Sequence, residues 1–359
     1  MLLFSLLAFL TGSSGAGEPR SAELLFAGDA MQHQAQLDQA RLRDGKGGYD
    51  YSDCFTYIAP TVTEADYAVC NLEVPLGGGP DYTGYPCFSA PDSYAVALKN
   101  AGFDMFMTAN NHSLDRRDRA ARRTLVALDS LGIDHVGSFR DSLERAEKVP
   151  FIKDIKGFKI GFLNYTYGTN GIPPQDGVEI ALIDRDRMAR EIRETRDAGA
   201  EIVVVMVHWG VEYVLLQNRN QEELADFLVD QGVDLVIGGH PHVVQPMKVV
   251  RNEKEGKDVL VVYSLGNLIS NMKTADTRGG ALVRARIERD ADGKARFKSA
   301  DYDTFFSAKP TGPTSNFMVI PSWMPDKIPA AQRAHWQLFD RGAQRVFEAH
   351  NHRVPRRHK

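Results

Sequence analysis

The stretch Val233-Asp234-Leu235-Val236-Ile237-Gly238-Gly239-His240-Pro241-His242 joins a short apolar run to two glycines and two histidines. A run of this length bounded by glycine predicts a strand that is buried on both faces. Two imidazoles on either side of one proline, in an extended backbone, can approach a centre from the same side, and the glycines let the backbone come close. The stretch therefore predicts a metal-binding turn that follows a buried strand.

Four other apolar runs end in polar side chains in the same way. Residues 23–27, 67–70, 103–107 and 202–207 lead into Gly28-Asp29, Asn71-Leu72-Glu73, Asn110-Asn111-His112 and His208-Trp209-Gly210. Taken singly, the first three are explained as well by capped turns, and the last by a core histidine. Ligands of open α/β sheets bind beyond the carboxyl ends of the strands, where loops converge. We therefore expect the five loops to form one site.

Helical patterns alternate with these strands at residues 90–101, 119–131, 184–198 and 220–231, which predicts an α/β fold. Hairpin turns at Lys156-Gly157 and at residues 290–293 add antiparallel pairs, so the sheets should be mixed. We divide the chain into a leader at residues 1–21, one large domain at 22–307 and a C-terminal extension at 308–359. A helix predicted at residues 330–349 of the extension should pack on the main domain.

The composition is that of an ordinary globular protein, with 43% hydrophobic and 25% charged residues among 359. The net charge is −4, and the only basic run, Arg356-Arg357-His358-Lys359, is a short segment at the end of the chain. These features argue against nucleic-acid binding by a basic face. Three cysteines permit at most one internal disulfide.

The first ten residues are an apolar run, and small residues follow as far as Ala16. This pattern is typical of a secretory signal, so we predict export to the periplasm or cell envelope. An N-terminal membrane anchor is the alternative interpretation.

The candidate ligands offer nitrogen and oxygen without cysteine sulfur. Such a set favours one or two divalent ions of the borderline or hard type, namely Mn²⁺, Zn²⁺, Fe²⁺ or Ca²⁺. If two ions are present, a carboxylate such as Glu73 could bridge them. The pair would then clamp the attacking and leaving oxygens of a phosphoryl or acyl centre.

Six motifs follow one another along the chain: Gly28-Asp29, Asn71-Leu72-Glu73-Val74-Pro75, Ala109-Asn110-Asn111-His112-Ser113-Leu114-Asp115, His208-Trp209-Gly210-Val211-Glu212-Tyr213, Gly239-His240-Pro241-His242 and Tyr263-Ser264-Leu265-Gly266-Asn267. From about residue 23 to residue 280 the chain thus resembles the CapA family of capsule, or poly-γ-glutamate, synthesis proteins. That family is related to the calcineurin-like metallophosphoesterases. The resemblance implies a layered α/β/β/α sandwich with mixed sheets.

The resemblance also implies a role for individual residues. The implied metal ligands are Asp29, Glu73, Asn111, His208, His240 and His242. His112 matches the histidine that acts as a general acid or stabilises an oxyanion, which makes His112 and Asp29 the catalytic candidates. Motif context suggests that four further residues contact the substrate: Trp209, Tyr213, Asn267 and Arg278. Core or capping roles explain these four residues equally well.

One position departs from the metallophosphoesterase pattern. These enzymes usually open with Asp-x-His, whereas Asp29-Ala30-Met31 has methionine in the histidine position. The change predicts that one metal subsite is weakened or altered. His33 lies close by and could compensate as a ligand or substrate contact, or it could lie on a helix surface.

Two functions are compatible with these features. In the first, a metal-activated water attacks a phosphoester or amide of an extracellular polymer while His112 assists the leaving group. In the second, the protein is an accessory component of the capsule synthesis or export machinery, and its metal site binds an anionic polymer without turnover. The first function is also compatible with a small molecule as the substrate.

Overall fold

The computed structural model describes residues 21–42, 47–313 and 315–358, and the predicted leader lies outside them apart from Ser21. Sixteen strands occur in the described residues: β1 Ser21–Ala30, β2 Tyr67–Leu72, β3 Met105–Met107, β4 Asp134–Val136, β5 Ser138–Phe139, β6 Phe151–Ile155, β7 Phe158–Thr166, β8 Glu179–Ile180, β9 Ile202–His208, β10 Leu235–Gly239, β11 Met247–Asn252, β12 Lys257–Val262, β13 Asn267–Ile269, β14 Gly279–Arg289, β15 Ala295–Ala308 and β16 Met318–Pro321. The same residues form eight α-helices: α1 Gln34–Ala40, α2 Ala59–Thr63, α3 Asp92–Asn100, α4 Arg117–Leu131, α5 Ser142–Lys148, α6 Arg185–Asp197, α7 Arg219–Asp230 and α8 Arg333–His350.

Two large mixed sheets form the centre of the molecule. The first has eight strands in the order β16-β15-β14-β1-β2-β3-β4, with β13 paired to β1, and the second has six in the order β11-β12-β10-β9-β7-β6. Strands β1 to β4 run parallel to one another, as do β7, β9, β10 and β12. The predicted hairpins are confirmed as the antiparallel pairs β6–β7 and β14–β15.

Alternate residues of the strands face different apolar layers, as the period of two requires. Phe26 of β1 belongs to the layer between the two sheets, which also contains Met206 of β9. Leu25 faces outward and packs in the layer that includes Leu98 of α3. On the other side, Val205 shares a layer with residues of α6 and α7. Helices therefore cover both outer faces, and the predicted α/β/β/α sandwich is confirmed.

The strand that carries Asp29 is longer than predicted. We expected it to end at Gly28-Asp29, but β1 continues to Ala30. After a register shift, Asp29 pairs with Asn71 of β2 on one side and with Asn267 of β13 on the other. The reason is tertiary, because a strand from a distant part of the chain supplies the second partner. Asp29 is consequently held on both sides by the sheet.

The C-terminal residues pack on the sandwich. Strand β16 pairs with β15, and Phe339 and Phe347 of α8 join the layer between the sheets. The helix predicted at residues 330–349 corresponds to α8, which a short 3₁₀ helix at Ala330–Gln332 precedes. The division at residue 307 stays a prediction. Within the described ranges, no helix combines the length and apolarity needed to cross a membrane.

Candidate metal centre

The ends of β1, β2, β3, β9 and β10 bring all six predicted ligands into one buried cluster. Each of these residues is at most 4% exposed: Asp29, Glu73, Asn111, His208, His240 and His242. Parallel neighbouring strands place their carboxyl ends at one edge of a sheet. In the sandwich these edges of the two sheets lie side by side. The convergence expected from sequence is thus present in the structure.

One group of ligand atoms comes from Asp29, Glu73 and His242, and these atoms lie within 4.8 Å of one another. His242 Nδ1 is 3.3 Å from Asp29 Oδ2, and His242 Nε2 is 3.7 Å from Glu73 Oε1. Two carboxylates and one imidazole at this spacing can surround a single divalent ion.

A second group comes from Glu73, His208 and His240, again within 4.8 Å. Asn111 Oδ1 lies 2.8 Å from His208 Nε2, so its amide oxygen adjoins this group. Glu73 belongs to both groups and stands where a carboxylate could bridge two ions.

Two buried polar atoms without hydrogen-bond partners indicate that the cluster suits a divalent ion. Glu73 Oε1 and His240 Nδ1 are buried without any hydrogen-bond partner. A buried polar atom left unpaired costs about 1–3 kcal/mol, and native proteins leave few such atoms. A bound cation would satisfy both atoms at once, and their chemistry is the nitrogen and oxygen set that divalent ions take.

Burial and mutual charge set the protonation of the cluster. Burial lowers the pKa of His208 well below its usual value, and His240 adds to the effect. Burial and the charge of His242 lower the pKa of His240 to about 3. Burial alone would raise the pKa of Asp29, but the hydrogen bond and charge of His242 hold it below its usual range. Both lowered imidazoles are therefore neutral, which is the form that binds metals.

Two asparagines that we did not select from sequence organise the cluster. Asn71 Nδ2 donates to Asp29 Oδ1 at 2.8 Å and to Glu73 Oε2 at 3.1 Å. Asn110 Nδ2 in turn donates to Asn71 Oδ1 at 3.1 Å. The available signal was their place at the ends of two buried strands, where a capped turn explains an asparagine equally well when each motif is taken singly. Their contacts instead fix the two carboxylates relative to each other.

His112 lies beside the ligand groups and belongs to neither. Its Nδ1 is 2.8 Å from Asp115 Oδ2, and its ring packs edge-on against Phe88 with centroids 4.7 Å apart. The carboxylate accepts a hydrogen bond from Nδ1–H, so Nε2 is the ring nitrogen that remains for proton transfer. Asp115 is a third residue that was not predicted as part of the site, although it stands three positions after His112 in the motif.

The turn that carries the histidines is not extended, contrary to our expectation. His240 and His242 have φ values of +99° and +59°, in the left-handed region that non-glycine residues rarely adopt. The His240 N–H donates to Asp29 Oδ2 at 3.2 Å, so the carboxylate holds the turn. Such strain persists where surrounding contacts determine it, commonly at ligand sites.

The other predicted site residues have different surroundings. Asn267 is fully buried and its Oδ1 lies 3.0 Å from His242 Nδ1, so it orients that imidazole. Trp209 is buried in an outer apolar layer, where its Nε1 donates to the Tyr263 carbonyl at 2.8 Å. Tyr213 is 54% exposed beside His242.

His33 precedes α1, and its N–H donates to Gln36 Oε1 at 2.8 Å, as an N-cap residue does. Its ring accepts a hydrogen bond from the Asn271 N–H at 3.3 Å. In the part of the chain that the structure describes, His33 belongs to no group of three ligand atoms. Met31 packs in the apolar layer beneath the helices.

A four-layered sandwich of this topology is a metallophosphoesterase-like fold. NAD nucleotidase of Haemophilus influenzae has the same fold, with a TM-score of 0.50 and 12% identity over 90% of this chain and 62% of the nucleotidase. The family described as "Bacterial capsule synthesis protein PGA_cap" matches residues 23–272. The chain belongs to this family, which confirms the resemblance inferred from its motifs.

Two curated relatives carry names from capsule synthesis. Capsule biosynthesis protein CapA of Bacillus anthracis is 29% identical over 250 residues, which cover 67% of this chain and 58% of that protein. PGA biosynthesis protein CapA of Bacillus subtilis (strain 168) is 27% identical over 245 residues, which cover 67% and 62%. The match thus spans about three fifths of the length of these relatives.

Proposed function

We propose that this protein is an exported, metal-dependent hydrolase that cuts a phosphoester or amide bond in an anionic envelope polymer of the capsule or poly-γ-glutamate type. The observation that carries the proposal is the pair of buried ligand groups that share Glu73 and leave its Oε1 unpartnered. A buried carboxylate oxygen without a donor has no structural role of its own, whereas a bridging ligand requires a free oxygen.

The side chains divide into ligands and a proton donor. Asp29, Glu73 and His242 would hold one ion, and Glu73, Asn111, His208 and His240 the other. When bound, divalent ions activate water and polarise a phosphoryl or acyl oxygen. Asp29 acts through this ligand role, and His112 donates a proton from Nε2 to the leaving oxygen or nitrogen. Asp115 keeps the His112 ring in the required orientation.

We expect His112→Ala to lower kcat by about 10²–10⁴, the range that general acid catalysis supplies. The metal content should stay unchanged, because His112 belongs to neither ligand group in the described residues. Asp115→Asn, which removes the negative charge beside Nδ1, should lower kcat less and leave KM alone. Steady-state kinetics with elemental analysis checks this, and a loss of metal in His112→Ala would contradict the assigned role.

A basic strip next to the cluster suits an anionic substrate. Arg278 is 4% exposed, and among the described residues no carboxylate lies within salt-bridge distance of it. Its Nη2 donates to Gln332 Oε1 at 2.6 Å. Lys309 Nζ donates to the Asn271 carbonyl at 3.3 Å, and the Asn271 N–H meets His33. Lys309 and His33, which are partly exposed, would bind carboxylates or phosphates of the substrate, and the buried Arg278 would add its positive charge.

Lys309 should give substrate affinity a pH dependence. Burial, with the charges of Arg278 and Lys273, lowers its pKa to about 8. The charged form is present below that pH and is lost above it, so KM for an anionic substrate should rise about threefold between pH 7 and pH 9. Lys309→Arg, which stays charged, should abolish this rise, and Lys327→Gln serves as an exposed control. Equal pH profiles for the unaltered protein and Lys309→Arg would contradict the assignment.

The proposed function is tested with the purified protein and Mn²⁺, Zn²⁺, Fe²⁺ or Ca²⁺. We expect hydrolysis of bis(p-nitrophenyl) phosphate or of a γ-glutamyl peptide, and no hydrolysis after chelation. His208→Ala should remove activity, and the exposed His335→Ala should not. Absence of turnover with every metal and both substrates would refute the hydrolase.

A non-catalytic accessory role in polymer synthesis or export is the second candidate. It is favoured by the basic strip, which can bind a polyanion without metal, and by the biosynthetic names of the relatives. Tight binding of poly-γ-glutamate with no turnover, weakened in Lys309→Gln, would support this role over the first.

A further inference from the structure

The loop between β9 and α7 carries a carboxylate to the edge of the metal cluster. Glu212 has a side chain that is 40% exposed, and its Oε1 is 4.0 Å from His242 Nε2. Ligand atoms of Glu212, His240 and His242 lie within 4.8 Å of one another. Glu212 therefore completes a third group of ligand atoms, and both imidazoles in that group already adjoin the buried groups.

Backbone hydrogen bonds hold this loop against the histidine turn. The Trp209 N–H donates to the Gly239 carbonyl at 3.1 Å, and the Tyr213 N–H donates to the Pro241 carbonyl at 2.8 Å. Tyr213 adopts a left-handed φ of +67°, a conformation that a bulky residue takes only under constraint. Glu212 is thus fixed from both sides beside the turn.

The charges around Glu212 are unbalanced. Asp29, Glu73 and Glu212 each lie within 4.0 Å of His242, and no Lys or Arg of the described chain lies within 4.0 Å of any of the three carboxylates. Like charges at this spacing repel, and a cation between them removes the repulsion.

A second, independent observation points to a ligand here. His240 Nδ1 is buried without a hydrogen-bond partner and belongs to a residue that is 4% exposed. Met31, two residues after Asp29, packs in an apolar layer, so it offers no donor to the ion that Asp29 would hold. The group of Asp29, Glu73 and His242 then has three protein ligands, one fewer than a closed four-coordinate site.

We propose that Glu212 is a metal ligand that joins the ion held by His242 from the solvent side, with His240 as the third member of its group. The inference rests on the proposed metal function and extends it to a residue outside the buried set. Removing the carboxylate should lower the affinity for one ion and leave the affinity for the other unchanged. The ligands of the second ion, Asn111, His208, His240 and Glu73, remain in place.

The test compares Glu212→Gln with Glu223→Gln, an exposed glutamate on α7 that loses the same charge. Mn²⁺ binding to each full-length protein is followed by isothermal titration calorimetry, and paired ions are detected by electron paramagnetic resonance. We expect Kd for one of two Mn²⁺ ions to rise by about 100-fold in Glu212→Gln. The signal of coupled ions should be lost, while Glu223→Gln matches the unaltered protein.

Different outcomes reject different parts of the proposal. Two ions bound by Glu212→Gln with unchanged Kd values would overturn the assignment of Glu212 and leave the buried site standing. Failure of the unaltered protein to bind any of Mn²⁺, Zn²⁺, Fe²⁺ and Ca²⁺ would overturn the metal site and the proposed hydrolase together. Thermal unfolding of the metal-free proteins, expected to be equal, controls for damage to the fold.

Discussion

Asp29→Ala is expected to abolish turnover, with kcat/KM falling by at least about 10³-fold. Asp29 is the fully buried residue that belongs to one ligand group and also holds the turn of the other, through the His240 N–H. Its loss removes a ligand and frees Asn71 Nδ2, which donates to it at 2.8 Å. Both ions should therefore bind more weakly, as measured by elemental analysis after dialysis.

Asp29→Asn separates charge from shape. The amide keeps the volume and an acceptor for the His240 N–H, so the turn should remain in place while metal affinity still falls. Asp230→Ala, an exposed position on α7, is the matched control and should keep full activity. Full metal occupancy in Asp29→Ala would falsify the ligand role.

Gly28→Ala is expected to destabilise the protein by at least about 3 kcal/mol, at the upper end of overpacking costs. A Cβ at this position would lie 1.8 Å from the Gly266 carbonyl oxygen and 2.8 Å from its carbon, and both are backbone atoms. Relief would require β1 to separate from the segment before β13, which would break the bond from the Asp29 N–H to the Gly266 oxygen. The urea midpoint and the metal affinity should fall together.

Gly168→Ala provides the comparison, because an added Cβ there meets no atom within 4 Å. We expect it to change the free energy of unfolding by no more than about 0.5 kcal/mol. Similar midpoints for the two variants would show that the approach of Gly28 to Gly266 carries no structural cost, against our interpretation.

The fold class and the convergence of the candidate ligands could be predicted from sequence because both follow from the pattern of strands and of the residues at their ends. Buried strands that end in His, Asp, Glu or Asn show themselves by apolar runs, and a parallel sheet places such ends at one edge. His208 and His240 could therefore be predicted as candidate ligands of one site, although they are far apart in the chain.

Orientation within the cluster could not be predicted in this way. The sequence alone is compatible with Asn71 in a capped turn or in the site, and Asn71 bridges two carboxylates. It is likewise compatible with Asn267 as a substrate contact or as a core or capping residue, and Asn267 Oδ1 lies 3.0 Å from His242 Nδ1. Glu212 lies in the motif of residues 208–213, and the local sequence does not indicate its role. An amide or carboxylate side chain suits many settings, and only its neighbours in space distinguish them.

The sequence by itself determined that this chain forms an α/β fold whose strand ends carry His, Asp, Glu and Asn, because side-chain period and strand length are local properties. Only the tertiary structure decided which atoms of those residues meet. The pairing of Asp29 with Asn267, the left-handed turn at His240 and the position of Glu212 each depend on contacts between segments distant in the chain. Such contacts have no local signature, because their energy exists only after the sheets have packed.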